Sequence, residues 1–99
     1  MVTKEEARNY LRDVMPGQSF WVNNGPILKN LEELGDFLPQ MSDNSFQHHV
    51  SNGKNDFGSW INDVIGDKKL ADDLLSSKTK ESSAKKVMGR VNSLKKKAI

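Results

Sequence analysis

Cysteine is absent from this sequence, which excludes disulfides, thiolate nucleophiles and cysteine-ligated zinc. A chain without cysteine is suited to a reducing compartment. The first residues, MVTKEEARNY, lack the apolar stretch of a secretory signal peptide. No apolar run approaches the roughly eighteen residues that a membrane span requires. These absences predict a cytoplasmic protein that makes no contact with a membrane.

Motifs for catalysis and cofactor binding are missing as well. The sequence has no P-loop, no dinucleotide-binding glycine pattern and no Ser-His-Asp order. Gly58 and Gly66 stand alone and do not form a glycine-rich loop. We therefore expect no cofactor and no enzymatic activity. An enzyme would need a pocket that gathers His49 with Asp56 or Asp67.

Charge is present in quantity but unevenly distributed. The whole chain has a net charge of only +2, whereas residues 78–99 carry +7 and residues 1–77 carry −5. Such an asymmetry is informative about partners and not about the fold. The basic residues of the C-terminal segment are Lys78, Lys80, Lys85, Lys86, Arg90, Lys95, Lys96 and Lys97.

Apolar residues recur mostly at the i, i+3, i+4, i+7 spacing of amphipathic helices. We predict an all-α fold, a compact bundle of five to six short helices. Two apolar triplets, residues 20–22 and 26–28, flank an Asn-Gly pair that is typical of a tight turn, so a small β-hairpin or an extended loop follows the first helix. The predicted core comprises Leu11, Val14, Phe20, Leu34, Leu38, Phe46, Phe57, Trp60, Ile61, Val64, Leu70 and Leu74.

Residues that favour helix starts precede each predicted helix. They are Thr3, Asn30, Ser42, Asn55 or Asp56, Asp67 and Thr79. A polar segment, residues 76–83, divides the chain into a helical core domain of residues 1–77 and a basic amphipathic helix of residues 78–99. That helix is either part of the same domain or a mobile appendage. Its apolar stripe comprises Ala84, Val87, Val91, Leu94 and Ala98.

Residues 46–71 read FQHHVSNGKNDFGSWINDVIGDKKLA. This segment resembles a family of small uncharacterised domains found mainly in archaea and some bacteria. The family signature is Phe-x-x-His-Val, a short loop, Asn-Asp-Phe-x-x-Trp-Ile/Val-x-Asp-Val and then Asp-x-x-Leu-Ala. The resemblance covers about residues 20–75 and implies no activity, because none is established for the family. The matching motif residues are Phe46, His49, Asn55, Asp56, Phe57, Trp60, Asp63 and Asp67.

The two histidines, His48 and His49, do not form a metal site. Adjacent helical residues point about 100° apart, so both cannot readily bind one ion. We expect no metal, and we expect His49 to bond either the last carbonyls of its helix or the cap at residues 55–56. Asp56 and Asp67 are interpreted as N-caps, and Asp63 as a solvent-exposed residue opposite the apolar stripe.

The two tryptophans receive different interpretations. Trp60 falls on an apolar stripe and is predicted to be core, whereas Trp21, beside a turn, is either core or a surface contact residue.

The basic helix leaves three alternatives open: a solvated charged face, a contact with DNA or RNA, and a contact with an acidic protein surface or a second copy. Seven of its eight basic residues are lysine, which favours phosphate attraction over base-edge recognition. The leading hypothesis is a non-enzymatic protein that binds DNA or RNA with low sequence specificity, as a chromatin- or RNA-associated factor. The alternative is a protein–protein adaptor or homo-oligomer that docks through the apolar stripe.

Overall fold

The computed structural model describes residues 2–99; Met1, the first residue of the predicted 1–77 unit, lies outside that range. The first helix, α1, spans Lys4–Leu11 and begins at a capping box. Thr3 Oγ1 accepts from the Glu6 amide at 3.1 Å, and the Glu6 carboxylate accepts from the Thr3 amide at 2.9 Å. Two otherwise unpaired amide donors are satisfied in this way, which stabilises the helix start.

A hairpin follows α1, as predicted. Strand β1, Phe20–Trp21, pairs antiparallel with β2, Ile27–Leu28, and places Trp21 opposite Ile27. Alternate side chains point to opposite faces of a strand, so Phe20 is buried while Trp21 is 71% exposed. Trp21 is therefore a surface residue.

The next two helices begin at their predicted caps. Helix α2 spans Leu31–Phe37 and continues into a short 3₁₀ turn, Leu38–Gln40, which contains Pro39. Helix α3 spans Asp43–His49 and begins at Ser42. Proline lacks the amide donor that a continuing α-helix would need, so the chain turns between α2 and α3.

A second hairpin was not predicted. Strand β3, Val50–Ser51, pairs with β4, Lys54–Asn55, in a segment interpreted from the sequence as a loop. The turn residues Asn52 and Gly53 have φ of 47° and 82°, the left-handed region that asparagine and glycine adopt most readily. The residues on either side of this Asn-Gly turn are mostly polar, so the flanking apolar residues that indicate a hairpin are missing from the sequence.

The remaining helices occupy the C-terminal half. Helix α4 spans Asp56–Trp60, a π-helical turn spans Ile61–Ile65, α5 spans Lys68–Leu74 and α6 spans Lys80–Ala98. The predicted caps at Asp67 and Thr79 are confirmed, and Asn55 caps α4 while Asp56 is its first residue.

The π-helical turn stands where the spacing of Phe57, Trp60, Ile61 and Val64 predicts a regular helix. The Arg12 guanidinium donates to the carbonyls of Val64 at 2.9 Å and Ile65 at 3.3 Å. These bonds satisfy carbonyls at the helix end, where Gly66 leaves the helix with φ of 93°. Val64, predicted to be core, is consequently only half-buried.

The hydrophobic core agrees with the sequence at most positions. Ten of the twelve predicted core residues are buried, and Leu11 and Val64 pack against the core while remaining partly exposed. Helix α6 contributes three fully buried apolar side chains, Val87, Val91 and Leu94, and packs on α1 and α2. The mostly helical fold with a hairpin after α1 is therefore confirmed.

The close approach of α2 and α6 depends on Gly35. A Cβ atom at this position would collide with Met88 Sδ and lie 2.9 Å from Met88 Cγ and 3.2 Å from Val87 Cγ1. We expect Gly35→Ala to lower the free energy of unfolding by about 1 kcal/mol, because the buried, β-branched Val87 cannot move aside as the flexible Met88 side chain can, and this overpacking outweighs the gain in helix propensity. Urea denaturation followed by circular dichroism measures the change.

Gly89 provides the matched control for this substitution. It lies in the interior of α6, and a Cβ atom there would have nothing within 4 Å. Gly89→Ala is therefore expected to stabilise the protein by up to about 1 kcal/mol. Stabilisation of similar size by both substitutions would contradict the proposed close approach.

Candidate anion-binding cleft

A cleft of about 740 Å³ lies between α1, the start of α5 and the C-terminal half of α6. Five cationic and two carboxylate side chains line it, so its net charge is +3. We call it the basic cleft. Its lining residues are Val2, Glu6, Tyr10, Gly66, Asp67, Lys68, Lys69, Arg90, Ser93, Leu94, Lys96 and Lys97.

Asp67 and Arg90 form an ion pair in the wall of the basic cleft. Asp67 is 1% exposed, and its carboxylate accepts from Arg90 Nε at 2.7 Å and Nη2 at 2.9 Å. The same carboxylate caps α5 by accepting from the Leu70 amide at 3.3 Å. Hydrogen bonding to Asp67 raises the pKa of Arg90, and burial opposes it. A bidentate pair of this kind joins α5 to α6 in a fixed geometry.

This pairing extends one expectation from the sequence and changes another. Asp67 acts as the predicted cap and is, in addition, buried and paired. Arg90, expected to contact nucleic acid, directs two of its donors to Asp67. Its role is therefore to hold the wall of the cleft.

Three lysines that were predicted to contact nucleic acid bind to other parts of the chain and hold α6 in place. Lys80 Nζ donates to the Met41 carbonyl at 2.6 Å, and Lys86 Nζ donates to the Asp73 carbonyl at 3.0 Å. Lys95 Nζ lies 2.6 Å from a Glu32 carboxylate oxygen. The positive charge of these lysines is partly or wholly engaged within the fold.

The other four lysines of the segment have no such role. Lys78, Lys85, Lys96 and Lys97 are exposed and make no hydrogen bond or ion pair with any residue between 2 and 99. Lys96 and Lys97 lie at the basic cleft, whereas Lys78 and Lys85 lie elsewhere. The predicted basic residues are thus divided between those that pair within the fold and four unpaired lysines, of which Lys96 and Lys97 lie at the basic cleft.

Lys68 and Lys69 are site residues that the sequence interpretation missed. Both line the basic cleft from α5, and their ion pairs with Asp72 (3.7 Å) and Asp73 (3.1 Å) are exposed surface pairs at i, i+4. Such pairs contribute little and exchange readily with solvent. Both lysines fall within residues 1–77, whose net charge is −5, so the net charge of the segment does not indicate a basic site there. Their position directly after the Asp67 cap is the only local feature that distinguishes them.

Tyr10, the only tyrosine of the chain, stands at the wall of the basic cleft. Its hydroxyl makes no hydrogen bond within residues 2–99. Tyr10 is partly buried and packs against the hydrophobic core, and a Cβ atom at Gly66 would lie in van der Waals contact with its Cε1, at 3.9 Å. Burial raises the pKa of the Tyr10 hydroxyl, and the nearby Glu6 charge adds to this effect.

The residues of the family-like motif serve the core and the helix starts. His49 is buried beside Phe20 and Phe57. Its Nε2 accepts from the Asn23 amide at 3.0 Å, so its Nδ1 carries the proton and donates to Asp56 at 3.0 Å. The predicted contact between His49 and the cap at residues 55–56 is confirmed.

The other motif residues are similarly engaged. Trp60 is buried and its Nε1 donates to the Gln18 carbonyl at 2.8 Å. Asp63 is exposed and accepts from Asn62 at 3.0 Å. Asp67 pairs with Arg90 while His49 pairs with Asp56, so these groups belong to different surroundings.

Between residues 2 and 99, no group of three or more His, Asp or Glu side chains is placed to hold a metal ion. No helix in the same range is long and apolar enough to cross a membrane.

The fold and the site define a small, mostly helical domain with a basic cleft. No protein-family model, curated protein or solved structure matches this chain. The resemblance of residues 46–71 to a family of small domains therefore stays a prediction.

Proposed function

We propose that this protein is a non-enzymatic nucleic-acid-binding protein that holds phosphates at the basic cleft with low sequence specificity. One observation carries the proposal: two helices distant in sequence bring Lys68 and Lys69 together with Lys96 and Lys97 around a single concave surface. A cluster of lysines without buried acidic partners attracts phosphates, and binding gains from the release of counterions.

The chemistry of the cleft favours backbone contacts over base-edge recognition. The ammonium group of lysine acts as a point charge, whereas arginine provides the planar fork that recognises guanine edges. The one arginine at the cleft, Arg90, is paired with Asp67. The site accordingly suits a chromatin- or RNA-associated protein that reads charge and shape.

The adaptor hypothesis loses its proposed docking surface. Val87, Val91 and Leu94 of the apolar stripe are at most 1% exposed and are covered within the chain. A partner or a second copy that used this stripe would first have to displace α6 from α1 and α2. The exposed basic cleft requires no such rearrangement, which supports the nucleic-acid hypothesis.

Neutralising the cleft is expected to weaken binding strongly. The variant with Lys68, Lys69, Lys96 and Lys97 changed to Gln should show a slope of log affinity against log salt that is smaller by about 3. Fluorescence anisotropy with labelled DNA and RNA oligonucleotides, measured from about 50 to 200 mM salt, gives this slope.

A charge-matched control separates the cleft from general attraction. Lys29, Lys54, Lys78 and Lys85 are exposed and do not line the cleft. Changing these four to Gln alters the net charge equally and should reduce the slope far less. Equal losses in both variants would contradict the assignment to the cleft. Absence of binding by the unmodified protein at about 50 mM salt would exclude the proposed function itself.

A further inference from the structure

We propose that the basic cleft takes one unstacked base of a single strand against Tyr10, so that the protein prefers single-stranded nucleic acid to duplex. This inference rests on the proposed function and names the form of nucleic acid that the cleft accepts. Phosphate contacts alone would involve the lysines of the cleft but not its apolar wall.

The shape and lining of the cleft argue for a base. Its volume of about 740 Å³ lies within the common range of small-molecule sites. Besides lysines, its walls include Val2 and Tyr10, which are partly exposed and offer apolar surface. The backbone of a duplex is convex and fully hydrated, and it gains nothing from an apolar cavity. A base that has left its stack needs such a surface.

Tyr10 has the properties of a stacking residue. Its side chain is only partly buried and lines the cleft, and its hydroxyl has no partner within the described chain. Every base presents a flat π-face, so aromatic stacking tolerates all sequences. This tolerance fits a site in which lysine contacts outnumber groups that could recognise base edges.

The positions of the lysines suit a strand that crosses the cleft. Lys68 and Lys69 belong to α5, whereas Lys96 and Lys97 belong to α6. A base held between these helices would have its two flanking phosphates near one lysine pair each. The Asp67–Arg90 pair joins the helices and therefore preorganises the cleft before the strand arrives.

The test uses three ligands of about twelve nucleotides, a length within the usual range of single-strand sites. They are oligothymidylate, an otherwise identical strand with abasic sugars at its central positions, and a duplex. Anisotropy should give the tightest binding for oligothymidylate and about tenfold weaker binding for the abasic strand. Tyr10→Leu should weaken oligothymidylate binding about tenfold and leave abasic binding unchanged, while Tyr10→Phe retains most of the affinity.

A second measurement requires no amino-acid substitution. Because Tyr10 is the only tyrosine, incorporating 3-fluorotyrosine yields one ¹⁹F resonance from the cleft. This resonance should shift on adding oligothymidylate and should move little with the abasic strand.

The outcomes distinguish the two proposals. Equal binding of the thymidylate and abasic strands, with a ¹⁹F resonance that responds to both alike, overturns the inference and leaves the phosphate-binding function standing. Tighter binding of duplex than of single strand also overturns the inference alone. Failure of all three ligands to bind at about 50 mM salt removes the proposed function as well.

Discussion

Deleting residues 78–99 is expected to unfold the rest of the chain. Helix α6 supplies Val87, Val91 and Leu94, all fully buried. Burial of each such side chain contributes about 1.5–3 kcal/mol, so their loss alone removes roughly 5–9 kcal/mol. A domain of this size is stable by only about 5–15 kcal/mol in total.

The deletion also damages the surfaces that α6 covers. The packed faces of α1 and α2 become exposed to water, and Asp67 loses Arg90. These costs add to the loss of buried apolar side chains. The 1–77 fragment should therefore show weak far-ultraviolet circular dichroism, poorly dispersed amide proton resonances and no cooperative urea transition.

A shorter deletion provides the control. Residues 97–99 contribute no fully buried side chain, and a chain that ends at Lys96 should unfold cooperatively with nearly the original stability. If the 1–77 fragment unfolded cooperatively as well, the division of the chain into a core domain and an appended helix would be correct. This experiment therefore tests the domain boundary inferred from the sequence.

Much of the fold was predictable because its determinants are local. Helix starts depend on one side chain and the amide two or three residues later, so Thr3, Asn30, Ser42, Asn55, Asp67 and Thr79 could be read as caps. Helical spacing of apolar residues likewise identified most of the core. The hairpin after α1 carried its own Asn-Gly signal.

The missed features depend on contacts between distant segments. The π-helical turn at residues 61–65 is stabilised by Arg12, about fifty positions earlier in the chain. Spacing alone predicts a regular helix there and places Val64 in the core. The second hairpin is an intermediate case, since its Asn-Gly turn is local but its strands have only two residues each.

The candidate site was predictable only in part for the same reason. The net charge of residues 78–99 predicts a binding site on α6, and two lysines of this helix, Lys96 and Lys97, do lie at the cleft. The pairing of Lys95 with Glu32 and of Arg90 with Asp67 joins residues 63 and 23 positions apart. A single sequence does not reveal such pairs. It therefore gives no means of separating the paired lysines of residues 78–99 from the unpaired ones, or of including Lys68 and Lys69 in the predicted site.

Breaking the Asp67–Arg90 pair is the second change with a large expected effect. Arg90→Met preserves much of the apolar stem but leaves the 1%-exposed Asp67 with a charge and no cationic partner. Removing one member of a buried ion pair typically costs about 3–5 kcal/mol, because the remaining charge stays desolvated. Urea denaturation at neutral pH, followed by circular dichroism, should register a loss of this size.

A second substitution determines the origin of that loss. Asp67→Asn removes the charge yet retains a side chain that can cap α5. If an unpaired carboxylate causes the loss, Asp67→Asn should destabilise the original protein but stabilise the Arg90→Met variant, a change of sign that independent effects cannot give. A double variant less stable than Arg90→Met alone would instead show that the Asp67 carboxylate stabilises the fold without Arg90, as the cap of α5. In that case the wall of the cleft would depend on the start of α5 and not on the ion pair.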